Sequence, residues 1–345
     1  MKSLKKVRLP AEWEAQDAVL LAWPHEKTDW VDQLASAQRT FIKIIKEISR
    51  FEVVLLIVHD EESVRRQLQA AKLNLDRIHL YQLPYNDTWA RDFGPLGVQV
   101  DAKVQLLDFI FNGWGNKFCA EQDNQISQRL AAAGAFGDTP LQSIDLVLEG
   151  GSIESDGAGT LLTTSACLLE QNRNPQYSQT QIEAKLKRLF GVEQILWLEH
   201  GVLQGDDTDS HIDTLARFVP HNTIIFQGCG EPADEHYSEL AAMREQLARF
   251  RNAAGEPYQL LTLPWPAPCY DGDNNRLPAT YANFLIINDA VLVPTYMDPA
   301  DAEALRVIAQ AFPERQIVPV NCRALIEQHG SLHCVTMQFP KGVLK

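Results

Sequence analysis

The feature that most restricts the fold is a recurring order of short strands and amphipathic helices. Strand-like runs lie at 17–23, at 96–100 with 104–110, at 159–164, at 214–219 with 222–226, and at 283–287 with 290–293. Asn288-Asp289 separates the last pair as a two-residue turn signal. Helical patterns follow most of them, clearest at 33–49, 61–71, 122–133, 179–189, 233–250 and 299–311. Each unit closes on a further apolar strand, at 78–83, 143–148, 194–198, 258–263 and 316–320, with an extra strand at 52–58 in the first unit. Five hairpin–helix–strand units, spaced by about 50 to 70 residues, have the pattern of a radial repeat array. A mixed α/β sheet with irregular connections fits the same periodicities. No Pro- or Ser-rich linker interrupts the chain, so residues 1–345 are read as a single domain.

Composition narrows the function. The chain is 45% apolar and 22% charged, which argues against extensive disorder. Its 31 Lys and Arg against 45 Asp and Glu leave a net charge of −14. That balance argues against nucleic acid and against an anionic membrane surface, both of which need a basic face, and would draw in a cationic small molecule. Met1–Pro10 is basic but carries no apolar core of the kind a secretory signal needs. No run approaches the roughly 18 apolar residues of a membrane span. The six cysteines stand far apart without a Cys-x-x-Cys pair, against a disulfide framework or zinc ribbon. The reading is a soluble, reduced, cytoplasmic protein.

Between each closing strand and the next hairpin the chain carries a link in place of an ordinary turn, Gly- or acid-rich in most cases: 86–95, 148–152, 205–213, 278–283 and 330–334. Around a common axis these links would converge, and they pool carboxylates, imidazoles and one thiol. Cys334 follows a Gly-containing turn and opens the alternating run 334–339; its position leaves a nucleophile and an inert buried thiol equally open. His333 would face the opposite side of such a strand. His211 sits among Asp206, Asp207, Asp209 and Asp213, and an extended His211-Ile212-Asp213 would put both polar side chains on one face. Neighbouring carboxylates would raise the imidazole pKa, suiting a proton donor, although a solvated acidic turn reads the same way. Asp207-x-Asp209 resembles a calcium loop, but Ile212 stands where that loop needs Gly and Phe218 where it needs Glu. A divalent ion on His211 and scattered carboxylates is the competing chemistry. Asp92, beside Arg91, caps a turn or joins Asp213 in gripping a planar guanidinium, with Trp89 against the cation's face. Glu149 precedes two glycines that allow close backbone approach to a ligand, or is a turn acid.

The segments Pro10-Ala-Glu-Trp-Glu14, Leu21-Ala-Trp-Pro-His25, Asn86-Asp-Thr-Trp-Ala-Arg-Asp-Phe-Gly-Pro95, Leu148-Glu-Gly-Gly151, Asn172-Arg-Asn-Pro175, Gly205-Asp-Asp-Thr-Asp-Ser-His-Ile-Asp213, Pro278-Ala-Thr-Tyr-Ala-Asn-Phe284 and Leu332-His-Cys334 together carry a resemblance. In this order, over most of the chain, they resemble the agmatine deiminases, within the family that also contains bacterial peptidylarginine deiminases. The resemblance implies a five-bladed, pseudo-symmetric α/β propeller of ββαβ-type repeats with a central site. It implies Cys334 as nucleophile, His211 as general acid/base and Asp92 with Asp213 as the guanidinium clamp. Glu149 would orient and charge-tune His211, Trp89 and Asn283 would line the pocket, and Asp207 would reach the substrate. The implied reaction is hydrolysis of agmatine to N-carbamoylputrescine and ammonia through a Cys-thiouronium intermediate, without cofactor or metal. Arginine at a peptide terminus is the runner-up substrate, and a metal-dependent amidohydrolase the rival chemistry. The expected partner is a small guanidinium cation, and a homo-oligomer is compatible with the chain. Ser331 stands where many relatives have a second Gly, and Phe111-Asn-Gly-Trp-Gly-Asn116 departs from their usual run; both bear on the substrate's tail.

Overall fold

The segment around 33–49 folds as helix Leu34–Ile48, which buries Ala37, Phe41, Ile44, Ile45 and Ile48 along one stripe. That spacing is the apolar face its sequence period requires. The computed structural model describes residues 6–101 and 103–344; Met1–Lys5 of the basic N-terminal stretch lie outside the described residues. Among the described residues no helix is long and apolar enough to cross a membrane.

The chain is a mixed α/β fold built from several small sheets. Five of these sheets share one motif, an antiparallel pair followed by a parallel strand. Leu96–Val100 pairs with Lys103–Ile110, which is joined in parallel by Leu141–Val147. Ile153–Ser155, Thr160–Thr164 and Gln194–Leu198 repeat the order. Ala216–Val219, Thr223–Gln227 and Gln259–Leu263 do so again. Leu285–Ile287, Ala290–Thr295 and Gln316–Asn321 form the fourth set. Parallel neighbours need a crossover, and the helices Ile126–Ala132, Gln179–Phe190, Tyr237–Arg249 and Asp301–Ala311 lie in those crossovers.

The remaining sheet corrects the sequence reading twice. Gln16–Ala22 finds its antiparallel partner at the far end of the chain, in Met337–Pro340, and its parallel partner in Val53–Val58. The closing strand is therefore Val53–Val58, while Ile78–Gln82 is an outer strand beside it. Burial explains the order. Val53–Val58 is apolar on both faces and suits the middle of a parallel sheet, whereas in Ile78–Gln82 only Ile78 is fully buried. The extended run expected from Cys334 also shortens. Only Met337–Pro340 is strand, and Thr336 closes a turn ahead of it, its hydroxyl on the carbonyls of Leu332 and His333.

Candidate active site

The five links meet through hydrogen bonds. From the second link, Gly151 donates its amide to Asp92 Oδ1 in the first (2.9 Å). Arg91, also in the first, donates its amide to the carbonyl of Cys334 in the fifth (3.1 Å). The amide of His333 donates to Asn283 Oδ1 in the fourth (2.9 Å), and Asn283 Nδ2 reaches the Asp213 carbonyl in the third (3.4 Å). His333 Nδ1 meets Asp213 Oδ2 at 2.7 Å, and His211 Nδ1 lies 3.7 Å from Asp92 Oδ1. Gly151 has to be glycine here. A Cβ on it would lie 2.6 Å from His211 Nδ1, 2.9 Å from Asp92 Oδ1 and 3.1 Å from Asp213 Oδ2.

A cavity of about 430 Å³ opens onto this cluster, lined by Cys334, Asp92, Trp89 and Asp207 among others. Such a volume suits a small ligand. Asn283 Oδ1 accepts from the Cys334 amide (3.3 Å) and lies 3.4 Å from its Sγ, so the amide group fixes the thiol's turn. Trp114, also on the wall, donates its indole N–H to Asp92 Oδ2 (3.0 Å). Trp89 donates to Asp87 Oδ2 (3.2 Å) and lays its ring over Gly330, where any Cβ would collide with it. Asp213, His211, Glu149 and, against expectation, Asn283 are buried against the cluster without lining the cavity.

Burial dominates the electrostatics. The Cys334 thiol is pushed well above its ordinary pKa by desolvation, then by Asp213 and Asp92. Burial followed by the charges of Asp213 and Glu149 likewise raises the Asp92 carboxyl. For Asp213, burial opposes ionisation, but the hydrogen bond and charge of His333, with His211 and Arg217, bring its pKa below the usual value. Asp213 Oδ1 is left buried with no protein partner. Asp207 is raised to about 6 by burial and then by Asp206. A neutral thiol with two crowded carboxyls is a site short of one positive charge.

His211 departs from expectation. The segment is not extended: residues Ile212–Thr214 make a tight helical turn, with His211 just before it. Burial carries the imidazole down to about 3, outweighing the upward pull of Asp213, so it rests neutral with Nε2 unpartnered. The acids around it have other duties. Asp206 caps its own loop through Thr208 and Ser210, while Asp209 pairs with Arg173 and Lys117, each at 2.7 Å. Glu149 receives two hydrogen bonds from Arg173 Nε, at 2.9 and 3.0 Å. Glu149, Cys167 and His211 do approach within 4.8 Å of one another, a spacing that would accept an ion. However, Arg173 holds that carboxylate and places a fixed cation beside the three. The calcium-like Asp207-x-Asp209 pair takes no part in this group.

Sequence reasoning gave no role to Trp114, Arg173 or Glu12, although all three stand in or beside the quoted segments, and it set His333 aside. Arg217, a lone charge within an apolar strand, was the available signal. It is fully buried and forms ion pairs with Glu12 (2.6 Å) and Glu154.

The profile of the Porphyromonas-type peptidyl-arginine deiminases matches residues 8–340. The chain belongs to this family. The agmatine deiminase of Stutzerimonas stutzeri is 34% identical over 357 residues, covering 96% of this chain and 95% of that one. A Porphyromonas gingivalis structure, provisionally assigned as an arginine deiminase, is 48% identical with a TM-score of 0.93, over 99% of this chain and 100% of its own. A variant of the C. jejuni agmatine deiminase with substrate bound is 39% identical with a TM-score of 0.92, over 100% and 99% of the two chains.

Proposed function

We propose that the chain hydrolyses the guanidinium group of agmatine, giving N-carbamoylputrescine and ammonia. The observation that carries this reading is a buried thiol, Cys334, lining one cavity together with Asp92, while the buried Asp213 carboxylate acts on both through its charge. A planar cation bound there supplies the missing charge: it lets Asp92 ionise beside the already ionised Asp213 and lowers the pKa of the thiol. Neutral His211 accepts the thiol proton, and Cys334 Sγ bonds to the central guanidinium carbon. His211 then passes that proton to one nitrogen, which leaves as ammonia, and a thiouronium remains. Water attacks the same carbon, the C–S bond breaks, one water proton returns to sulfur and the other is released to the departed ammonia. Covalent catalysis divides one hard displacement into two easier steps, and the carboxylates hold the cation in line for both. Trp89 packs along the guanidinium face and Asn283 fixes the nucleophile's turn. Glu149, itself held by Arg173, keeps a negative charge close to His211.

In this reading the five sheets stand around one axis as an α/β propeller within a single domain, which is how five links come to share a centre. The cavity also holds Asp29, Asp87, Asp123 and Asp207 against Lys27 and Lys117. That balance favours a tail ending in an amine over arginine's carboxylate. An ammonia-release assay against agmatine, free arginine and a peptidylarginine tests it. Turnover of agmatine at least tenfold ahead in kcat/KM supports the reading; preference for peptidylarginine would transfer the activity to the other substrate class.

A further inference from the structure

His333 lies next to the thiol in sequence but faces away from the cavity's thiol, into a buried group of charges. Its Nδ1 meets Asp213 Oδ2 at 2.7 Å, and its Nε2 meets Glu12 Oε2 at 2.8 Å and Arg217 Nη2 at 3.1 Å. Arg217 is pinned in turn by Glu12 and Glu154 and by the Phe284 carbonyl (2.7 Å), one residue after Asn283. The imidazole is therefore gripped at both nitrogens, and its backbone amide is gripped by Asn283. Meanwhile Asp213 has one oxygen occupied by His333 and the other, Oδ1, buried with no protein partner.

We propose that His333 is a positioning residue: its Nδ1–H fixes the Asp213 carboxylate while its Nε2 accepts from Arg217, itself held by Glu12, so that the bare Oδ1 is presented to the substrate's guanidinium. The inference rests on the clamp role given to Asp213 above. A carboxylate with one oxygen tied down has lost its freedom to rotate before the ligand arrives, so binding does not have to order it. The same residue sets the turn carrying Cys334, and so couples the clamp's position to the nucleophile's.

The test separates the two ring nitrogens. An Asn side chain places its amide N–H near the site of Nδ1, and a Gln side chain places its amide near Nε2. Agmatine affinity is measured by calorimetry in a Cys334→Ala background, and KM, kcat and melting temperature in the otherwise unaltered chain. His333→Asn should hold affinity and KM within about threefold, whereas His333→Gln should weaken both by about tenfold or more, with both variants folded. Equal affinity in the two variants overturns the proposal. If His333→Gln does not fold, Glu12→Gln, which keeps the imidazole but loosens the Arg217 that anchors its Nε2, should raise KM severalfold; an unchanged KM there overturns it too. Asp213→Asn is the control for the underlying reading. If that variant binds agmatine normally, the clamp itself is wrong; if it binds poorly while His333→Gln binds well, only the positioning role falls.

Discussion

At Cys334 the deciding quantity is charge. The free thiol is neutral because burial and two acids oppose its ionisation; in the proposed reaction the substrate's cation reverses that. Replacing Cys334 by Ala should remove turnover, by about a thousandfold or more, while agmatine still binds; a competent Cys334→Ala enzyme would rule out the covalent route. Asp207 gives a pH signature. Its carboxyl is raised to about 6, so it is neutral below that value and anionic above it. KM for agmatine should therefore fall as pH rises from 5 to 7, and fall less for an alkylguanidine lacking the tail amine. Parallel profiles for the two compounds would take Asp207 away from the tail. Which residues come together around the cavity was legible in sequence through the resemblance, whose motifs fix the functional groups at each link. Their protonation was not. The acids near His211 in sequence suggested a raised pKa, but burial against links distant in sequence, such as those carrying Asp92 and Gly151, drives it to about 3.

At the scale of elements, period and turn chemistry located most strands and helices, since one buried face leaves a mark on every second or every third to fourth residue. The links were harder. Their shape follows from contacts with other links, as when Ile212–Thr214 turns tightly where an extended run was expected. Gly151 shows how little room that packing leaves. Gly151→Ala would force a methyl carbon to 2.6 Å from His211 Nδ1 and 2.9 Å from Asp92 Oδ1. Its backbone is not in the left-handed region, so the strain falls on those two side chains and not on the fold. The variant should lose about a hundredfold or more in kcat/KM with a modest change in melting temperature. Full activity in Gly151→Ala would mean that His211 and Asp92 move freely, against the rigid constellation described here.

For the whole molecule, the informative pairing joins the two ends of the chain. No periodicity could reveal that Met337–Pro340 completes the sheet begun by Gln16–Ala22, because pairing partners more than three hundred residues apart leave no local trace. The consequence is that the turn holding Cys334 is anchored by a strand seated on the first unit. The segments near both ends of the described chain are also neighbours: Val7 pairs with Val100, which pairs with Lys103, and a Cβ on Gly342 would lie 3.2 Å from the side chain of Val104. If closure rests on this pairing and not on chain order, the ends can be joined and the chain reopened elsewhere. Ala254 and Gly255 sit in an exposed turn remote from the cavity lining. A permutant opened between them, with a short Gly/Ser linker across the old ends, should fold and keep activity within about threefold of the parent. Deleting residues 337–345 from the ordinary chain should instead lower the melting temperature sharply and abolish agmatine turnover. Thermal melts and ammonia release on both proteins decide the point. A truncated chain as stable and active as the parent would show that the terminal strand does not hold the nucleophile in place.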